Sequence, residues 1–121
     1  MLNKKRIAIL LGDPSGIGPE IVSKLLCEKI VDEANILVIG EKKILEEGEN
    51  ISGTRAKFKF VKNSKDVVFD VKKKYFLDIS KGTNRTYEYG QVSAESGASV
   101  LEAMDEAMDL ANNKRIDAVN F

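Results

Sequence analysis

The hydrophobic positions of the chain fall into short blocks with two kinds of spacing. Residues 7–11 and 36–39 are unbroken apolar runs, as expected of strands buried on both faces of a parallel sheet. Between them Ile21, Val22, Leu25, Leu26 and Ile30 recur at helical spacing, with Lys24 and Glu28 toward water. Residues 7–40 therefore read as one β-α-β unit with a right-handed crossover. A short helix is expected over 41–47, with Ile44 and Leu45 inward, and a turn-rich stretch over 48–54. Phe58 and Phe60 alternate with Lys57 and Lys59, the period of a half-buried strand. Residues 66–74 fit two readings. Val67, Val68, Phe69 and Val71 favour strand, while Asn63-Ser64 ahead of them suits a short helix. Residues 76–79 predict another strand, and 81–91, with Tyr87 and Tyr89, a loop. From the N-cap candidate Ser93, the positions Ala94, Ala98, Leu101, Met104, Met108 and Ala111 predict a long helix with both methionines on its core face. Asn112-Asn113 ends it, and residues 116–119 predict a last strand. The pattern as a whole predicts an α/β fold: a mostly parallel sheet with flanking helices, in a single unit over 1–121.

The chemistry that this pattern frames lies just after the first strand. Gly12, Asp13, Pro14, Ser15, Gly16, Ile17 and Gly18 lead into Pro19 and Glu20. Three glycines in seven residues let backbone N–H groups approach a ligand closely. Proline suits the first helical turn and a glutamate suits the positive end of the helix dipole. A turn opening onto a helix N-terminus is an anion site. It is not a P-loop, since no Gly-Lys-Ser/Thr follows, and G-x-x-x-G-x-G differs from the dinucleotide fingerprint. Glu41, after the second strand, stands where a dinucleotide-binding fold places a ribose-binding acid. A purely structural tight turn is the plain alternative.

Composition narrows the partners. Lysine plus arginine and aspartate plus glutamate each number 19, a net charge of zero, which argues against a nucleic-acid binder. The clusters Lys4-Lys5-Arg6 and Lys72-Lys73-Lys74 read as solvated ends of elements. The apolar run after the basic N-terminus is too short for a signal peptide or a membrane span. Cys27 is the only cysteine. It allows no intrachain disulfide, reads as a partly buried thiol, and fits a cytoplasmic setting. Histidine is absent, which removes the commonest general base and transition-metal ligand from any mechanism confined to these residues.

The stretch IAILLGDPSGIGPEI at 7–21, followed by Gly90-Gln91-Val92-Ser93-Ala94-Glu95-Ser96-Gly97 and the Ile116-Asp117-Ala118 strand, resembles the 4-hydroxythreonine-4-phosphate dehydrogenases of pyridoxal phosphate biosynthesis. The likeness runs from end to end of the chain but over the amino-terminal part of that family only. It implies part of an isocitrate/isopropylmalate dehydrogenase-like fold with two subdomains, and NAD-dependent oxidation of a phosphorylated hydroxy-amino acid followed by decarboxylation. It also implies a divalent metal such as zinc or magnesium held by three histidines, and a homo-oligomer whose second subunit completes the active site. A threonate phosphate is the nearest alternative substrate. Since the metal histidines have no counterpart here, the chain is expected to be an amino-terminal piece that is inactive alone. Gly12, Asp13, Ser15, Gly16, Ile17 and Gly18 are the expected cofactor-facing wall, with Asp13 equally suited to capping the turn and Ser93 to capping its helix. A different class of reading, a non-catalytic anion-binding or self-associating module, stays open at this point.

Overall fold

The computed structural model describes residues 4–69, 73–82 and 85–121. Five parallel strands stand in the order β3-β4-β2-β1-β5: β1 (Arg6–Leu10), β2 (Asn35–Gly40), β3 (Lys59–Val61), β4 (Tyr75–Asp78) and β5 (Ala118–Asn120). The central β2 pairs with β1 from Arg6↔Asn35 to Leu10↔Ile39 and with β4 from Leu37↔Tyr75 to Gly40↔Asp78. Residues 36–40 are all buried, which is why they read as an uninterrupted apolar run. The mostly parallel α/β sheet expected from the sequence is present.

Strand alternation sorts the core into two layers. Ala8, Leu10, Leu37, Ile39, Tyr75 and Leu77 face α3 (Ala94–Asn112), meeting Ala103, Ala107 and Leu110. Ile9, Leu11, Ile36, Val38 and Phe76 face the opposite way, toward α1 (Gly18–Leu25) and α2 (Lys42–Ser52), whose Val22, Ile44 and Leu45 close that layer.

Several local expectations are corrected. α2 does not stop at 47 but runs to Ser52, with Gly53 at φ +71° closing it in the left-handed conformation. Gly48, read as a turn signal, lies inside the helix because α1 crosses there. A Cβ on it would stand 2.6 Å from the Pro19 carbonyl carbon. α1 ends at Leu25, and a separate 3-10 turn spans Lys29–Glu33. Ile21 and Ile30 are exposed, and Pro19, Val22, Ser23 and Leu26 carry the buried stripe instead. Cys27 is exposed rather than partly buried.

The long helix begins where expected, with the Ser93 side chain accepting from Ser96 N–H at 3.0 Å. Its buried face, however, is Ser96, Ser99, Ala103, Ala107 and Leu110. Leu101 and Met108 point to solvent, at 66% and 47% exposure. Leu101 lies roughly 200° around the helix from Ala103, at about 100° per residue. Small residues let the helix settle close onto the sheet, and a count of large apolar side chains misses such a face.

In the stretch that fitted two readings, Asn63 caps a 3-10 turn over Ser64–Asp66, its side chain accepting from Lys65 N–H. Val67 is buried and Phe69 packs at the edge of the α3-side core, whereas Val71 and Lys72 lie outside the described residues. So do loop residues 83 and 84.

Candidate functional site at the carboxyl edge of the sheet

Strand order fixes where a ligand would sit. From β1 the chain moves through α1 to β2, and from β4 through α3 to β5 on the other side of β1. The order reverses beside β1, and in open α/β sheets the crevice outside the strands' carboxyl ends at such a reversal is the binding position. The glycine turn occupies it.

The turn is built by its own short-range bonds. Gly12 takes φ +82°, which a side chain would strain. Asp13 Oδ1 accepts from Ser15 N–H at 2.8 Å and Asp13 C=O accepts from Gly16 N–H at 2.9 Å. The Asp13 side chain thus holds the turn through Oδ1, the capping role of its two possible ones, and stays exposed. Gly18 opens α1 against the end of β1: a Cβ there would lie 2.1 Å from the Leu11 carbonyl oxygen. Only glycine brings the helix start this close to the strand.

Two features of the turn suit an anion. No side chain caps α1, whose N-cap residue is Ile17. The Gly18 and Glu20 N–H groups, at positions without intrahelical partners, therefore remain available at the positive end of the helix dipole. Ser15 is 5% exposed, and its Oγ is the one buried side-chain polar atom among the described residues with no hydrogen-bond partner. A buried hydroxyl without a partner is destabilising by about 1–3 kcal/mol. Ile17, 67% exposed, adds an apolar edge. Of the six residues expected to face a ligand, the structure brings Gly12, Asp13, Ser15, Gly16, Ile17 and Gly18 into one compact turn.

Sequence reasoning singled out Glu41 behind the turn but not the partners that enclose it. Glu41, at the end of β2, is 6% exposed, and its Oε2 accepts from Tyr87 Oη at 2.5 Å and Ser99 Oγ at 2.7 Å. It is enclosed in protein, so it is not the open ribose-binding acid that its position suggested. Burial, followed by the bond to Glu41, pushes the Tyr87 phenol up to about 12. Arg85 makes a two-pronged pair with Glu102 of α3, at 3.0 and 2.6 Å, which holds the Glu102 carboxyl below its usual range. These anchors hold the loop after β4 over the sheet edge, where Gly90 N–H donates to Ser15 C=O at 2.8 Å. Tyr87 therefore packs against the core of the molecule, and Tyr89 remains exposed. The one sequence signal was the tyrosine-bearing loop immediately before a capped helix.

No group of three or more Asp, Glu, Cys or His side chains among the described residues is placed to hold a metal ion. No helix among them is long and apolar enough to cross a membrane.

Comparison with known proteins agrees with the family resemblance noted at the start. Residues 32–121 match the family model of the pyridoxal phosphate biosynthetic protein PdxA. A Fusobacterium nucleatum protein, provisionally named a D-threonate 4-phosphate dehydrogenase, is 34% identical over 117 residues, covering 96% of this chain and 35% of its own length. A Pasteurella multocida protein, provisionally named a 4-hydroxythreonine-4-phosphate dehydrogenase, is 33% identical over 123 residues, covering 99% and 36%. The crystal structure of a 4-hydroxythreonine-4-phosphate dehydrogenase from Burkholderia phymatum superposes with a TM-score of 0.81 at 28% identity, over 96% of this chain and 35% of that one. The chain thus spans about a third of the length of these relatives.

Proposed function

We propose, from the premise that this chain belongs to the family of the pyridoxal phosphate biosynthetic protein PdxA, that it supplies the glycine-turn wall of a dehydrogenase active site. The observation that carries the reading is the uncapped start of α1 beside the buried, unpartnered Ser15 hydroxyl, at the reversal point of the sheet. The reaction is oxidation of a 4-phosphorylated hydroxy acid, the class named in the relatives: 4-hydroxythreonine 4-phosphate or, alternatively, D-threonate 4-phosphate.

NAD is the cofactor in this reading, and when bound it would supply the hydride acceptor for that oxidation. The chain's own part is to bind and orient. The Gly18 and Glu20 N–H groups meet a phosphate oxygen, Ser15 Oγ donates to the same ligand, and Ile17 shields it from water. Gly12 and Gly16 keep the wall free of side chains. The divalent metal of the family reading has no fitting residues here, because the sequence has no histidine and the described residues hold no carboxylate cluster. No chemical step is assigned to this chain through a metal. We further propose a homo-oligomer in the reducing cytoplasm, supported by the exposed apolar Leu101, Met108 and Val92 and by the lone exposed Cys27.

Ser15→Ala tests the reading. It removes no bond within the protein, so the unfolding midpoint should hold or rise slightly. Titration of NAD and of inorganic phosphate, followed by amide NMR, should perturb residues 12–21, with weaker binding in the variant. Absence of saturable binding at millimolar ligand, or equal affinity in both proteins, would overturn the assignment.

A further inference from the structure

One residue of the first basic cluster and two of the second, read as solvated ends, are brought together by the fold. Lys4, before β1, and Lys73 and Lys74, before β4, line one groove of about 720 Å³ with Lys57 and Lys59 at the start of β3. The groove lies at the amino edge of the sheet, the opposite edge from the glycine turn. Phe58 and Ala34 supply its apolar wall, and Asp32 is the one carboxylate among its described lining residues.

The lysines are unequally committed. Lys74 Nζ is tied down, donating to Leu26 C=O at 2.9 Å and standing 3.7 Å from Asp32 Oδ1. Lys4 Nζ donates to the Asp32 carbonyl oxygen, so Asp32 meets two of the five. Lys59 Nζ lies over the Tyr75 ring, 5.8 Å from its centroid. Lys57 and Lys73 are exposed and make no ion pair among the described residues. The chain is neutral overall, so this clustering is local. Five ammonium groups around one depression repel one another, and an anion seated among them relieves that repulsion while meeting several charges at once. Lysine, a compact point charge, suits phosphate oxygens without demanding one orientation. The volume lies in the range of small-molecule sites, and an aromatic wall can take a planar base.

We propose that this groove binds an oligophosphate chain, carried by a nucleoside di- or triphosphate or by inorganic polyphosphate. Lys57, Lys73 and Lys74 contact the phosphates, and Phe58 packs against a base where one is present.

The test is amide NMR titration of the chain with ATP and, separately, inorganic triphosphate in about 150 mM salt, where loose surface attraction is screened. Saturable shifts confined to residues 57–59, 73 and 74 support the site for either ligand, and tighter binding of ATP identifies the nucleotide as its source. The double variant Lys57→Glu, Lys73→Glu alters two exposed side chains and should keep the parent's melting temperature while weakening binding at least about tenfold, since two of five cations become anions. It should leave the response of residues 12–21 to NAD unchanged, so failure of the groove and failure of the glycine-turn reading are told apart. The proposal is overturned if neither ligand saturates, if sodium chloride at equal ionic strength gives the same shifts, or if the double variant binds as tightly as the parent.

Discussion

Gly48→Ala and Gly97→Ala are the same substitution in two helices, and the structure assigns them opposite signs. In an open helix, alanine is favoured over glycine by about 1 kcal/mol because glycine loses more backbone freedom on folding. Gly97 is such a case: it is exposed within α3, and a Cβ there meets nothing within 4 Å. Gly97→Ala should raise stability by about 0.5–1 kcal/mol. At Gly48 the added Cβ would lie 2.6 Å from the Pro19 carbonyl carbon, 2.7 Å from its oxygen and 2.8 Å from its Cβ. Ordinary carbon contacts are about 3.5–4.0 Å, so the helices must part by roughly an ångström. The obstruction is mostly backbone and cannot rotate aside. Overpacking of this kind is destabilising by about 1–3 kcal/mol, and the upper end applies against main chain. Subtracting the propensity gain leaves a net loss of about 2 kcal/mol, and a gap of about 3 kcal/mol between the two variants. Urea unfolding followed by far-UV circular dichroism measures both on one scale. If Gly48→Ala stabilises as Gly97→Ala does, the close crossing of α1 and α2 is wrong. The placement of the turn, which rests on Pro19, would fall with it.

Tyr87→Phe removes one of two donors to the buried Glu41 oxygen and should lower stability by about 1.5–3 kcal/mol, the usual range for a hydrogen bond to a charged group. Because the folded-state phenol lies at about 12, above its unfolded value near 10, its stabilisation is complete below about pH 10. It fades as pH rises toward 12, so the difference between parent and variant in urea should shrink over that window. A tyrosine absorbance titration with Tyr87 ionising near 10 would contradict this. Asp117 has the opposite sign. Its hydrogen bonds from the Arg6 side chain and N–H hold it down to about 2, so its contribution is present above about pH 4 and is lost as pH falls toward 2. Carboxyl NMR titration should show this depressed midpoint in the parent, and Asp117→Asn should flatten that part of the stability curve; a midpoint near 4 would refute it.

The elements were legible in the sequence where physics acts within a few residues. Residues 7–11 and 36–39 are apolar throughout because both faces of a central parallel strand are covered. Ser93 announced its helix because an N-cap is satisfied three residues along. The glycine turn was legible for the same reason, since Gly12 and the Asp13–Ser15 bond are local. Family resemblance extended this to the kind of site expected there. What lay beyond reach depends on which segments become neighbours. Gly48 read as a turn because only the crossing of α1 turns a helix-weakening residue into one that packing requires. Leu101 and Met108 read as core because the sequence does not reveal that α3 would settle on serines and alanines. The Glu41 carboxylate meets Tyr87 and Ser99 across 46 and 58 positions of chain, and Lys4, Lys57, Lys59, Lys73 and Lys74 share one groove because β1, β3 and β4 start at the same edge. Strand order β3-β4-β2-β1-β5 decides all three. It arises from the crossovers and from which helix faces fit which side of the sheet, a choice made by packing over the whole chain rather than by any window of it.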